Sequence, residues 1–403
     1  MKHLSLEQQT LLALCRASLW GEAVTVPEGV NWQELEPMAQ QQAVIAFAYD
    51  GAMAAGVPVP AELLAKWKKH TMVSALKGHK LLQEQTRLIR ALQAERIPVA
   101  VLKGTSAAAA YPKPNLRMLG DIDLLVEREI LPKTQEVLEN LGYSLVEAEH
   151  DFHVAFGRDG ISVEVHFKVT QLPDSPCGRA AEEVTAGFLQ DICTGSLSGQ
   201  AFPMLSAPNQ ALSLVLHKVR HLIDSGIGLR QLLDWAAYLT GAEEQELVET
   251  TLPMLERCGL KQFTLCATRV CTDYLGLPER YAPWCREAAA EDAAALMEEI
   301  FLGGNMGRAG TQRINGLAAN NQHLGEGDPG GKAMVAKACQ AAYSHFPWAE
   351  KCKIALPFLW LFMAVRYAVR AMLGLRPKKT VAGVLNAAKQ QQSLYQKLRL
   401  FEE

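Results

Sequence analysis

Two aspartates separated by one residue are the first place where this chain could do chemistry. They lie in Asp121-Ile122-Asp123-Leu124-Leu125-Val126, whose alternation predicts a strand over 121–126. Residues two apart in a strand share a face, so both carboxylates point one way while Ile122 and Leu124 point into a core. Paired carboxylates repel each other unless a cation lies between them. A magnesium ion is held by one or two protein carboxylates, with waters and phosphates completing its shell. Residues 161–169 repeat the device: Ser162, Glu164, His166 and Lys168 share one face, and Ile161, Val163, Val165, Phe167 and Val169 share the other. If the two strands are neighbours, Asp121, Asp123 and Glu164 converge. That set suits a two-metal phosphoryl or nucleotidyl transfer, in which one ion activates an attacking hydroxyl and the other neutralises the leaving phosphate.

A third element precedes these. Val99 to Leu102 is an apolar run ending at Lys103-Gly104-Thr105-Ser106, which predicts a strand entering a helix N-terminus. Free backbone N–H groups and the helix dipole favour phosphate there, and Gly104 allows close approach. Thr105 and Ser106 add hydroxyls, and Lys103 and Arg117 add positive charge, so these five residues are the expected phosphate grip.

Further downstream, His217 and His221 have the four-residue spacing of metal ligands on a helix. No third ligand accompanies them, so a polar face lining the cleft is the reading. Arg230 and Asp234 are also four apart, and an intrahelical pair is the default. His166 shares Glu164's face, where it either touches phosphate or acceptor or makes a structural hydrogen bond. The glycine-rich stretch Gly325 to Lys332 lacks the Ser/Thr and the glycine spacing of a Walker loop.

These residues need a scaffold. Residues 1–97 read as a helical region, clearest from Glu62 to Arg96, where Leu63, Leu64, Trp67, Leu76, Leu81, Leu82, Leu88, Ile89 and Leu92 recur at three- and four-residue steps. Residues 98–170 read as a compact α/β core: strands near 99–102, 121–126, 143–147, 152–156 and 161–169, helices over 106–111 and 132–141, and a hairpin turn at Gly157-Arg158-Asp159-Gly160. Residues 171–350 read as a helical domain, with helices over 209–221 and 229–239, and 351–403 as a basic helical segment. The fold class is α+β, a small mixed sheet flanked by helical regions.

Leu102-Lys103-Gly104, Tyr111-Pro112, Arg117, Asp121-Ile122-Asp123, Gly142-Tyr143 and Val163-Glu164-Val165-His166 together resemble the polymerase-β-like nucleotidyltransferase superfamily. More narrowly, they resemble an uncharacterised bacterial nucleotidyltransferase family whose members are often encoded near polysaccharide biosynthesis genes. His217-Lys218-Val219-Arg220-His221 and Gly228-Leu229-Arg230-Gln231-Leu232-Leu233-Asp234 look like that family's downstream helical motif. The resemblance covers residues 70–240. It implies transfer of a nucleoside monophosphate from an NTP to a hydroxyl, with two Mg²⁺ ions held by Asp121, Asp123 and Glu164. The superfamily's Gly-Gly or Gly-Ser is here Gly104-Thr105. A non-catalytic nucleotide-binding protein, or a membrane-docking interaction protein, is the alternative.

Composition narrows the partners. The chain has 403 residues, net charge −3 and nine cysteines at scattered spacings without paired Cys-x-x-Cys motifs. A zinc ribbon is therefore not expected, and a reducing cytoplasmic setting is. Glu7 interrupts the apolar run a signal peptide would need. No global field or aromatic-interleaved basic groove favours nucleic acid. The apolar run Ile354 to Val365 spans twelve residues, short of the roughly 20 of a membrane helix. Residues 351–400 hold ten basic residues and no acidic one. They are expected to dock on anionic lipid, on nucleic acid, or on the acidic stretch 287–299 of the same chain.

Overall fold

The structure is a computed structural model that describes residues 4–147, 152–305, 339, 346, 355–372 and 391–402. Three helices open the chain: α1 (Leu6–Trp20), α2 (Trp32–Gln41) and α3 (Ile45–Ala54). Ser5 starts α1 with a reciprocal capping box to Gln8, and Gly21 ends it in the left-handed conformation. Helix α4 (Ala61–Ala94) follows Pro60 and is 34 residues long. It buries Leu63 and Trp67 at one end and Leu81, Leu82, Leu88, Ile89 and Leu92 at the other. Leu76, placed on the apolar stripe by its spacing, is instead 71% exposed, as are its neighbours Met72 and Val73 to slightly lesser degrees. The middle of α4 thus leaves the core.

The central region comprises β1 (Ala100–Val101), α5 (Thr105–Ala108), β2 (Ile122–Leu125), α6 (Leu131–Asn140), β3 (Ser144–Glu147), β4 (His153–Arg158) and β5 (Ile161–His166). Each lies where the apolar pattern predicts it, and Asp159-Gly160, both at positive φ, close the β4–β5 hairpin. The sheet does not stop at Thr170. After α7 (Pro176–Ala186), β6 (Ile192–Leu197) and β7 (Gln200–Leu205) form a second hairpin through Ser198-Gly199. This gives one seven-stranded mixed sheet in the order β3-β4-β5-β2-β1-β7-β6. The region after residue 170, expected to be mostly helical, thus also contributes two strands. Ile192-Cys-Thr-Gly-Ser-Leu is largely exposed and too polar to show an apolar strand run.

Helices α8 (Ala207–Asp224), α9 (Leu229–Gly241), α10 (Lys261–Leu275) and α11 (Ala290–Gly303) complete the main body, and α12 (Leu356–Met372) follows in the basic segment. Packing among the described residues runs across positions 97 and 170. One core cluster unites α1–α3, one side of the sheet, α8–α11 and residues 394–401, while a second lies between the sheet, α4 and α6. The tail is fastened by Tyr395, whose hydroxyl donates to Leu222 O at 3.0 Å, and by Lys397, 3.3 Å from Asp292. This end of the basic segment therefore docks on the acidic stretch of its own chain. The glycine-rich stretch 325–332 lies outside the described residues.

Candidate active site

Parallel pairing of β2 with β5 sets Asp123 opposite Glu164 and Leu125 opposite His166. The two carboxylates project from neighbouring strands because each strand's alternate residues, Ile122 and Leu124, Val163 and Val165, are anchored in the core. Asp123, Glu164 and His166 each present one ligand atom within 4.8 Å of the others. Asp121, just before β2, lines the same cleft but stands outside this trio. Its carboxyl is raised above the usual range by the charge of Asp123 and by burial.

His166, fully buried, lies 3.2 Å from both Asp123 Oδ1 and Glu164 Oε2. Burial opposes its protonation, but these two carboxylates outweigh burial and raise it. Burial likewise pushes Glu164 up, and the His166 hydrogen bond with the charge of Lys103 brings it down to about 2. Lys103 Nζ reaches Asp123 at 2.9 Å and Glu164 at 3.8 Å and donates to His217 Nε2 at 3.0 Å. Its own burial disfavours charge, and the surrounding acids more than restore it.

The donor set fits a hard divalent cation. Oxygens of Asp123 and Glu164 converge, braced by the His166 imidazole, and Asp123 Oδ2 is buried with no hydrogen-bond partner. An orphaned carboxylate oxygen in a low-dielectric site is costly unless a cation completes it.

The phosphate grip expected from sequence is only partly assembled. Lys103 and Gly104, the latter at φ 70, line the cleft. Thr105 and Ser106 do not serve it. The Thr105 hydroxyl donates to Gln85 Oε1 at 2.7 Å, and Ser106 Oγ accepts from Gln210 at 3.3 Å, both in the interior. Arg117 is also committed elsewhere. Its Nε and Nη2 donate to Asp234 Oδ1 and Oδ2, each at 2.9 Å, and Nη1 donates to Met118 O. Tyr111 adds a third bond to Asp234 at 2.7 Å. This corrects the default Arg230–Asp234 pair: Asp234 is held by Arg117, while Arg230 Nε donates to Asn305 at 3.2 Å.

Arg230, His217 and His221 all face the cleft. Burial and nearby cations keep both imidazoles neutral, His221 at about 3, so His217 Nε2 accepts from Lys103. Two residues escaped the sequence reading. Gln231 lines the cleft and caps α9 from within, accepting from the Gly228 N–H. Lys218 lies in the wall, almost wholly buried, with Nζ on Leu214 O and over the Trp235 ring. The only sequence signal for Lys218 was its place between the two histidines.

A profile of uncharacterised nucleotidyltransferases matches residues 28–276, more than half of the chain. The chain belongs to this family. The match takes in α2–α4, the whole sheet and the helices that close the cleft, so the nucleotidyltransferase unit is larger than the core expected from sequence. A search of curated proteins gives no match. Among solved structures, ANT(2")-Ia in complex with adenylyl-2"-tobramycin is similar at 14% identity, covering 44% of this chain and 97% of that one, with a TM-score of 0.33. The solution structure of ANT(2'')-Ia is similar at 15% identity over 46% of this chain and 94% of that one, TM-score 0.32. A nucleotidyltransferase-like antigenic protein of Paracoccidioides brasiliensis is similar at 17% identity over 44% and 88%, TM-score 0.29. The protein is a nucleotidyltransferase on the strength of its family.

Proposed function

We propose that this nucleotidyltransferase moves a nucleoside monophosphate from an NTP to a hydroxyl acceptor with the help of Mg²⁺. The observation that carries the reading is Asp123 opposite Glu164 on adjacent parallel strands, with Asp123 Oδ2 buried and unpartnered. Asp123 and Glu164 would hold the metal with Asp121 beside them, and His166 would brace the two carboxylates. When bound, the metal supplies charge neutralisation for the phosphates and acidity for the acceptor hydroxyl. Lys103, the Gly104 backbone and Arg230 are the groups at hand for triphosphate oxygens. Arg117 acts through Asp234, fixing α9 and hence Arg230 relative to β2. His166 orients Asp123 and Glu164 toward each other. Most of the rate enhancement in such a site comes from positioning and fixed charge.

A second reading, nucleotide binding without turnover, has the Lys103 ion pair in its favour, because that ammonium already neutralises Asp123. The experiment is calorimetric binding of each NTP with and without Mg²⁺, paired with a pyrophosphate-release assay in the presence of a panel of hydroxyl acceptors that includes glycan precursors, on wild type and Asp121→Asn/Asp123→Asn. Metal-dependent binding with pyrophosphate release, both lost in the variant, supports transfer. Binding without release supports the second reading, and no binding sinks both.

The resemblance to a family encoded near polysaccharide biosynthesis genes makes glycan precursors the first acceptors to try, in a cytoplasmic setting. Peripheral contact with an anionic bilayer belongs to the same proposal. Helix α12 exposes Phe358, Leu361, Phe362 and Val365, at helical spacing, within a segment that carries ten basic residues. No described helix is long and apolar enough to cross a membrane.

A further inference from the structure

The exposed middle of α4 forms one wall of a second, half-open cavity, of about 500 Å³, bordered by α2, the start of α3 and residues 118–120. Its size is that of a small-molecule site, which typically spans about 300–1,000 Å³. Its position relative to the acids is fixed by the chain: Arg117 and Asp121 line the cleft, and the three residues between them, Met118, Leu119 and Gly120, line the cavity. A Cβ on Gly120 would meet nothing within 4 Å, so open space lies over the residue that joins the two chambers.

Two buried polar atoms in the cavity wall have no protein partner. One is the indole N–H of Trp67, a residue with no exposed surface, and the other is the Ser74 hydroxyl. Buried tryptophan N–H groups ordinarily find an acceptor, so this pair calls for one that the protein does not itself provide. Charge points the same way. Lys66, Lys69 and Lys77 line the cavity against one acid, Glu36. Lys66 is paired with Glu62, while Lys69 and Lys77 make no ion pair among the described residues. Val73, 58% exposed, and the half-buried Met118 supply apolar surface between them.

We propose that this cavity holds the acceptor, and that the acceptor is an anionic molecule with a flat apolar body. Its acidic group meets Lys69 and Lys77, its oxygens accept from Trp67 and Ser74, and its hydroxyl is directed past Gly120 toward Asp121 and Asp123. The assignment rests on the nucleotidyl-transfer reading, and the test separates the two.

The probe is 6-hydroxy-2-naphthoate, compared with neutral 2-naphthol by fluorescence titration of the full chain. The expected result is at least about tenfold tighter binding of the naphthoate. Ser74→Trp, which fills the cavity, should abolish that binding. Lys69→Glu/Lys77→Glu, at exposed positions that the fold does not need, should weaken it about tenfold and covers the case in which Ser74→Trp does not fold. Equal binding of naphthol, or naphthoate binding unchanged in both variants, overturns the ligand class and the location. Mn²⁺ added in place of Mg²⁺ then reports distance: protons beside the naphthoate hydroxyl should relax faster when Mn²⁺ is present, and not in Asp121→Asn/Asp123→Asn. Bound naphthoate without this relaxation overturns the acceptor role. Failure of Mn²⁺ to bind the wild type removes the transfer reading, and the titration still decides what the cavity holds.

Discussion

Replacing Asp234 by Asn should be among the most damaging single changes in the protein, although Asp234 is neither a proposed metal ligand nor a phosphate contact. Its two oxygens accept three hydrogen bonds, two from Arg117 and one from Tyr111, and all three side chains are at most 6% exposed. Burial favours the neutral acid, and the Arg117 charge overrides it and holds the carboxyl below its usual range. Asparagine keeps the shape but removes the charge, leaving an uncompensated guanidinium in the interior and setting an amide N–H₂ against one of its donors. Breaking a buried pair from one side destabilises by about 3–5 kcal/mol. The assay is urea unfolding: the midpoint should fall with an unchanged slope. The triple variant Tyr111→Phe/Arg117→Met/Asp234→Leu removes every member of the network and should recover to within about 1 kcal/mol of wild type, since whole buried pairs are replaceable by apolar groups. The sign of the pH effect follows from the depressed carboxyl. Its stabilising contribution is full above the unfolded value near 3.9 and is lost as pH falls through the native value. Wild type should therefore lose stability below about pH 4 more steeply than Asp234→Asn. A loss under about 1 kcal/mol in the single variant, or a triple variant as weak as the single one, would refute this account of the network.

Two further outcomes are expected. Burial lowers Lys218 from 10.5 to about 7, so the fold holds back a proton that the unfolded chain binds, and wild-type stability should rise between those pH values. Lys218→Met should remove that rise and, near neutral pH, stabilise by a few kcal/mol, on the order of 4 from about 1.36 kcal/mol per pH unit; unchanged thermal unfolding curves across pH 7–10 would count against a neutral buried lysine. Phe358→Asp/Leu361→Asp should abolish cosedimentation with phosphatidylserine-containing vesicles at low salt while leaving unfolding unchanged. A point variant is preferable to deleting 351–403, because Tyr395, Leu398 and Leu400 are buried in the main core. Cosedimentation equal to wild type would end the bilayer reading.

The acidic site was legible because strand alternation is a local property. Asp123 and Glu164 each sit on the polar side of a run whose other side is apolar, and only their adjacency, with Asp121 left outside the cluster, needed the structure. What a side chain does across the molecule was not legible. Thr105 and Ser106 look like a phosphate loop in one dimension, yet Gln85 on α4 and Gln210 on α8 hold their hydroxyls. Arg117 and Asp234 are 117 residues apart, so nothing local showed that they would pair. The β6–β7 hairpin was hidden because an exposed ribbon needs no apolar run. Leu76 fitted the helical period, but the period says which residues share a face and not how far the covering layer extends.

Helix α1 finishes its packing very late. The Trp20 indole donates to Leu275 O and Arg16 to Tyr274 O, partners 255 and 258 residues further along the chain. At about 5–20 residues per second on the ribosome, the first helices wait roughly 10–50 s for the surface they close against. Packing of α1 on α3, with Gly51 seated against the Leu14 backbone, is available within the first 55 residues and hides part of that apolar face meanwhile. During synthesis this helical pair must hold its packing without the later helices, and a side chain at Gly51 would act there before it acted on the finished protein.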